Sequence, residues 1–250
     1  MIVSITMSIN AWQLSQTHVQ HIGQMIWNNE SKKKVDKLIF WNSGEEFPSL
    51  GIGYFIWHTK SEKVPFAQQF PDLISYLKKQ NIKVPLWMSR KYAPWENRQA
   101  FLADRNSKRM QELQALLEGT IDLQAQFIVH RFQTKSLPAM LQRSSAKEQQ
   151  IIKKQLQRLH ANPKGIYAVI DYVDFKGDGT NAAERYNNQG WGLLQVLLTM
   201  KETDSALQDF VNSAQELLKT RVQNAPKERK EQEQRFLPGW LNRVKAYLND

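Results

Sequence analysis

Three glutamates near the start of the chain are candidates for acid–base chemistry. Apolar residues recur on one face of residues 9–29, which predicts an amphipathic helix with Glu30 at its C-terminal end. The negative end of a helix dipole and burial beside tryptophan both raise the pKa of a carboxyl group. A carboxyl group that stays protonated near neutral pH can serve as a general acid. Glu45 and Glu46 follow in the aromatic segment WNSGEEFPSLGIGYFIWH, residues 41–58.

The segment after Glu30 carries the signals of a β-hairpin. LIFW, residues 38–41, is a short β-branched and aromatic run, and NSG, residues 42–44, is a run of turn formers. SLGIGYFIWH, residues 49–58, alternates as a returning strand does, with glycines where the backbone bends or is approached closely. We therefore predict a small hairpin lobe over about residues 37–58, which holds nearly all the strand signal of the chain.

The remaining sequence predicts helices. Ser145 and Glu148 have the spacing of a capping box ahead of an apolar periodic run. GIYAVIDYVDF, residues 165–175, fits a buried strand or a buried helix, and we favour the helix because its surroundings are helical. The charged run at residues 224–235 is predicted to be a solvated helix. The predicted fold class is α+β, mostly α-helical, with residues 1–250 forming a single domain.

The order of these features resembles a known catalytic unit. Glu30, a short strand, a polar turn and SLGIGY resemble the catalytic helix and hairpin of phage-type lysozymes, within the lysozyme-like superfamily. The resemblance covers about residues 22–58. It implies a lysozyme-like fold in which Glu30 is the general acid that protonates a glycosidic oxygen. Ser49 stands where that family has a threonine two residues before Gly-Ile-Gly, which implies that Ser49 holds the attacking water.

The second carboxylate of phage-type lysozymes has no direct counterpart. Ungapped matching back from Gly51 places Ser43 at the position of the family's aspartate, with Glu45 and Glu46 close by. Strand alternation points two adjacent side chains to opposite faces, and we expect Glu45 to face the cleft because the chain must bend after Glu46. Lytic transglycosylases of the same superfamily use one glutamate first as acid and then as base. The sequence leaves hydrolysis and transglycosylation open.

Residues 171–197, DYVDFKGDGTNAAERYNNQGWGLLQVL, form the second candidate segment. Its aspartates, Asp171, Asp174 and Asp178, lack the spacing of an EF-hand, and no bidentate glutamate follows them. KGDGT lacks the remaining residues of a phosphate-binding loop. The five histidines of the chain are scattered and form no zinc-peptidase motif. We therefore predict neither a metal nor a cofactor.

A loop rich in amides and aromatic rings suits sugar binding better. GWGLLQ is similar to the Gly-Leu-Met-Gln stretch of lytic transglycosylases, which supports a saccharide cleft. Helix packing through the glycines and Trp191 is the alternative explanation of the same residues. The residues predicted to bind substrate are Trp41, Glu46, Tyr54, Glu184, Tyr186, Gln189, Trp191 and Gln195.

The amino-acid composition of the chain limits the classes of partner that we expect it to bind. Lysine and arginine number 34 against 24 acidic residues, a formal net charge of +10 that favours polyanionic partners, namely nucleic acid, anionic lipid or an acidic cell-wall polymer. The chain has no cysteine, which excludes disulfides and thiolate chemistry. No apolar run approaches the roughly 20 residues of a membrane span. The resemblance to phage-type lysozymes implies peptidoglycan glycan strands as the partner, and no membrane-spanning segment is predicted.

A second function class uses the same composition. A non-catalytic basic helical module could bind nucleic acid or another anionic polymer through its aromatic and basic residues. Nucleic acid is disfavoured because the basic residues form no clear stripe and no helix-turn-helix signal is present. The start of the sequence has no basic leader region or cleavage site, so we expect a cytoplasmic protein unless an export signal precedes it. With such a signal, the periplasm or cell wall is expected.

Overall fold

The structure, a computed structural model, describes residues 38–60, 68–182 and 184–249, together with positions 19, 22, 23, 25 and 26. These residues belong to two compact units, one running from Val19 to Ile128 and one containing the chain from Val129 on. Each unit combines several helices with one small antiparallel sheet. The prediction of a mostly helical α+β protein is therefore confirmed, and the grouping of residues 1–250 into one domain stays a prediction.

The sheet of the first unit has three strands, each of two residues. They are β1 (Ile39–Phe40), β2 (Ser49–Leu50) and β3 (Phe55–Ile56), paired antiparallel in the order β1-β2-β3. The prediction of a single returning strand over residues 49–58 is wrong. The strand is interrupted between β2 and β3, where Gly51 has φ +72° and Tyr54 has φ 46°, because left-handed backbone turns the chain back instead of extending it.

Four helices follow in the first unit. Their bounds are α1 (Phe70–Lys79), α2 (Arg98–Ala103), α3 (Lys108–Gly119) and α4 (Ile121–Arg131), whose last turn crosses into the second unit, with a 3₁₀ turn at Leu86–Ser89. A proline opens α1, and the side chains of Asn97 and Ser107 cap α2 and α3.

Tryptophan and phenylalanine rings form the core of the first unit. Trp57 is fully buried, and its ring centroid lies 4.6 Å from that of Phe70 and 6.1 Å from that of Trp95. The Trp95 indole N–H donates to the Asp104 carboxylate at 2.7 Å, so this ring satisfies its polar atom while its faces stay in the core. The aromatic residues of this unit thus serve packing first.

The second unit is built from six helices and a short hairpin within residues 129–249. The helices are α5 (Leu137–Gln142), α6 (Ala146–His160), α7 (Pro163–Lys176), α8 (Leu193–Thr199), α9 (Ala206–Asn224) and α10 (Lys227–Lys245), with a π turn at Phe132–Ser136 and a 3₁₀ turn at Ala246–Leu248. The capping box of Ser145 and Glu148 is confirmed at the start of α6. The helix favoured for residues 165–175 is confirmed in α7, which is buried along most of its length.

A second hairpin was not predicted from the sequence. Strands β4 (Arg185–Tyr186) and β5 (Gln189–Gly190) pair antiparallel around a two-residue turn. The turn residues Asn187 and Asn188 have φ values of 50° and 62°, the left-handed conformation that asparagine tolerates in tight hairpin turns. These two adjacent asparagines were therefore the sequence signal from which this hairpin could have been predicted.

Candidate functional site

The helix predicted before Glu30 is helical at every position that the structure describes. Val19, Ile22 and Ile26 are buried, as the predicted apolar face requires. Glu30 itself, and the predicted end of the helix, lie outside the described residues. The contacts of this helix with the rest of the unit are therefore described as far as Ile26.

Two adjacent residues of α4 hold the first helix and the Gly-Ile-Gly turn. A β-carbon built on Gly23 would lie 2.5 Å from the β-carbon of Ala125, so the two helices touch closely at this point. The next residue toward the N-terminus, Gln124, is fully buried, and its Oε1 accepts a hydrogen bond from the Ile52 backbone N–H at 3.0 Å. A β-carbon on Gly51 would lie 2.3 Å from the same oxygen. Both the helix and the turn therefore need glycine for their approach to α4.

The Gln124 amide is itself held in place. Its Nε2 donates to the Leu117 carbonyl oxygen at 2.7 Å and to the Thr120 hydroxyl at 3.0 Å. The Thr120 hydroxyl donates onward to the Leu116 carbonyl oxygen at 2.7 Å. A buried amide with both ends satisfied keeps one orientation, so the turn at Ile52 is anchored to the α3–α4 junction.

The two hairpin glutamates differ in environment. Glu45 is half-buried and follows the turn closed by its N–H to the Asn42 carbonyl oxygen at 3.1 Å, whereas Glu46 is exposed. Burial raises the pKa of Glu45 above its ordinary value, and a side-chain hydrogen bond with Asn42 opposes this shift. Both glutamates lie between β1 and β2 and not in a strand, so strand alternation does not apply to them, and the expectation that Glu45 faces a cleft stays a prediction.

Two other residues of this segment that were predicted to contact substrate or water, Trp41 and Ser49, are almost fully buried. Trp41 is 3% exposed, and its indole N–H donates to the Glu45 carbonyl oxygen at 2.8 Å, so it braces the turn from the core. Ser49 is 7% exposed and lies on the central strand β2, opposite Phe40 and Ile56. Tyr54 is half-buried at the end of the Gly-Ile-Gly turn.

The loop between α7 and α8 packs around one amide. Gln195 accepts a hydrogen bond from the Gly192 N–H at 3.0 Å and donates to the Gly179 carbonyl oxygen at 3.1 Å. A β-carbon on Gly179 would lie 2.2 Å from the Gln195 oxygen, and one on Gly190 would lie 3.0 Å from its carboxamide carbon. Both polar atoms of Gln195 are thus engaged within the loop, which favours the packing explanation of these glycines over sugar binding.

A buried ion pair gathers several predicted substrate residues. Arg221 of α9 donates to both oxygens of Glu233 on α10, at 3.0 and 2.8 Å, and the Tyr186 hydroxyl donates to Glu233 at 2.8 Å. Burial opposes ionisation of Glu233, but the hydrogen bonds from Arg221 and Tyr186 outweigh it and lower the pKa of this carboxyl group. Trp191 completes the group, with the Arg221 guanidinium carbon 4.1 Å from its ring centroid.

Glu184 lies beside this group. It is half-buried, and burial raises its pKa, with Asp178 adding to the shift and Asn181 and Arg221 opposing it. Gln189 is exposed and accepts a hydrogen bond from the Asn224 side chain at 3.4 Å. The structure therefore brings Glu184, Tyr186 and Trp191 together around one arginine, with Gln189 at the exposed turn.

No protein-family profile, curated protein or solved structure matches this chain.

Sequence reasoning missed the charged residues at the centre of this group. Glu233 lies in the run predicted to be a solvated helix, yet it is 5% exposed because Arg221 and Tyr186 satisfy its carboxylate. Arg221 and Glu233 come from separate helices, so no local pattern pairs them. The catalytic role of Glu30 stays a prediction.

Two features are absent from the described ranges. No group of three or more histidine, aspartate or glutamate side chains is arranged there to hold a metal ion. None of the helices described is both long enough and apolar enough to cross a membrane.

Proposed function

We propose that this protein cleaves the β-1,4 glycan strands of peptidoglycan, with Glu30 as the general acid. The observation that supports the proposal most is the shared anchoring of the first helix and the Gly-Ile-Gly turn on α4, through Ala125 and Gln124. A general acid must be held within hydrogen-bond reach of the oxygen it protonates. A tightly supported helix and turn, in the order that the resemblance to phage-type lysozymes requires, suit that demand.

The chemistry needs a protonated carboxyl group on one side of the scissile bond. Glu30 would donate its proton to the glycosidic oxygen as the bond to the anomeric carbon breaks. In the hydrolytic route, Glu45 would act as the second carboxylate, and Ser49 would position water. In the transglycosylase route, Glu30 would then take the proton of the sugar's own hydroxyl, and an anhydro sugar would form.

The net charge of the chain and the location of the proposed substrate indicate where the protein would act. The net charge of +10 favours approach to the anionic cell wall. Because this polymer lies outside the cytoplasmic membrane, we propose that the protein acts in the periplasm or at the wall. The role of Glu184, Tyr186 and Gln189 as glycan contacts stays a prediction.

The test is the release of soluble sugar fragments from purified sacculi. Wild-type protein should lower the turbidity of a sacculus suspension, and mass analysis of the products should reveal either reducing or anhydro ends. A protein that binds sacculi without releasing fragments would rule out the proposed activity and leave a binding module. Reducing ends would assign hydrolysis, and anhydro ends would assign the single-acid route.

A further inference from the structure

One cluster of side chains in the second unit alternates basic groups with aromatic rings. Lys176, the last residue of α7, lies with its Nζ 3.4 Å from the ring centroid of Trp240 and 4.1 Å from that of Phe175. Arg221 lies 4.8 Å from the ring centroid of Trp240, and Arg243 lies 4.6 Å from that of Phe175. We call this arrangement the cation–aromatic stack. Its members are Trp191, Arg221, Trp240, Lys176, Phe175 and Arg243.

The two arginines of the stack are neutralised by carboxylates. Glu233 receives two hydrogen bonds from Arg221, and Asp171 receives two from Arg243, at 3.1 and 2.8 Å. The Tyr167 and Tyr247 hydroxyls also donate to Asp171. Both carboxylates are therefore saturated by partners other than lysine.

The lysine at the centre of the stack is left without such a partner. Lys176 is 9% exposed, and among the described residues no carboxylate lies within ion-pair distance of its Nζ. Burial and the neighbouring charge of Arg221 lower the pKa of Lys176 to about 6, although Glu233 acts in the opposite direction. At pH 7 its amine is thus mostly neutral, with a free electron pair on nitrogen.

We propose that Lys176 is a nucleophilic amine that forms a Schiff base with a small aldehyde or ketone. A lysine becomes nucleophilic at neutral pH when it is desolvated and lies near other cations, and both conditions hold in the cation–aromatic stack. The substrate must be small because the side chain is nine-tenths buried. The proposal does not depend on the proposed glycan chemistry.

The reaction balances without any further reagent. The nitrogen electron pair attacks the carbonyl carbon, and the nitrogen loses a proton as the carbinolamine forms. The carbonyl oxygen takes up that proton and one from solvent, and it leaves as water. The product is a protonated imine, a cation whose place lies against the faces of Trp240 and Phe175. The same rings that contact the lysine nitrogen therefore stabilise the product charge.

The experiment traps the imine in the folded full-length protein. Glycolaldehyde is added at pH 7 with cyanoborohydride, which reduces the imine to a stable amine, and peptide mass spectrometry locates the adducts. Lys245, which is exposed on the neighbouring helix α10, is the internal reference. We expect labelling at Lys176 to be at least about ten times faster than at Lys245, because a neutral amine is the reactive form.

Two variants and a pH series complete the design. Lys176→Met should remove the fast adduct and leave the slow ones, whereas Lys245→Met should leave the fast adduct in place. The rate at Lys176 should fall as the pH drops below about 6, where its amine takes up a proton. Labelling of Lys176 that is absent, or no faster than that of Lys245 in the wild-type protein, would overturn the proposal. That comparison uses the native chain, so it stands even if a variant folds poorly.

Discussion

The buried Oε1 of Gln124 accepts the backbone N–H of Ile52 at 3.0 Å, across 72 positions of sequence. This bond fixes the Gly-Ile-Gly turn to α4, and the next residue, Ala125, contacts the first helix at Gly23. The segment that carries the resemblance to phage-type lysozymes is therefore held at two points by one helix. Substitutions at Gln124 and at Gly23 should each weaken one of these two contacts.

Removal of the Gln124 amide should destabilise the turn. Gln124→Leu keeps the volume but leaves the buried N–H of Ile52 unpaired, and it removes one of the two hydrogen bonds that the Leu117 carbonyl oxygen accepts. We expect the free energy of unfolding to fall by about 1–3 kcal/mol per unpaired group, measured by urea denaturation. The control is Gln114→Leu, on the exposed face of α3, which should change stability by no more than about 0.5 kcal/mol. Equal effects of the two variants would contradict the anchoring role.

A methyl group at position 23 should clash with α4. Gly23→Ala places its β-carbon 2.5 Å from that of Ala125, so we expect a loss of about 1–3 kcal/mol in the free energy of unfolding. Adding Ala125→Gly should restore much of that loss by vacating the space. Gly119→Ala is the control, because nothing lies within 4 Å of its added β-carbon. A double variant no more stable than Gly23→Ala would show that the two residues do not meet.

Lys176 should make stability depend on pH. Its pKa falls from 10.5 to about 6 on folding, so between these values the unfolded chain binds one proton more than the folded chain. The cost of burying this lysine is therefore full below about pH 6 and declines as the pH rises. Relative to Lys176→Met, the wild-type free energy of unfolding should rise by about 1.4 kcal/mol per pH unit across that window. Parallel pH profiles of the two proteins would refute the shifted pKa.

The two hairpin glutamates should separate the hydrolytic and transglycosylase routes. If Glu45 is the second carboxylate, Glu45→Gln should lose most of the activity on sacculi, and the exposed Glu46→Gln should lose little. The raised pKa of Glu45 means that its ionised form is lost as pH falls, so its contribution should decline at acidic pH. Full activity in both variants, with anhydro products, would instead assign the single-acid route.

Local sequence patterns predicted much of the secondary structure. The capping box at Ser145 depends on neighbours along the chain, and a helix was favoured for residues 165–175 because the surrounding sequence is helical; the structure confirms both predictions. The interruption between β2 and β3 was missed because glycine at Gly51 fits a strand as well as a turn, and the residue that it approaches closely, Gln124, lies far away in the sequence. Such long-range contacts leave no local signal.

The candidate site in the second unit also depends on long-range contacts. The pairing of Arg221 with Glu233 and the place of Lys176 against Trp240 join different helices, so the sequence alone did not indicate them. Charges in the interior depend on their partners for stability, and those partners are defined only by the tertiary fold.

The proposed role of Glu30 is tested most directly by one substitution. Glu30→Gln keeps the shape of the side chain but removes the acidic proton, so the rate of fragment release from sacculi should fall to background. The circular dichroism spectrum and the urea midpoint should match those of the wild-type protein, which would exclude misfolding as the cause. Fragment release at a rate near that of the wild-type protein would contradict the assignment of Glu30 as the general acid.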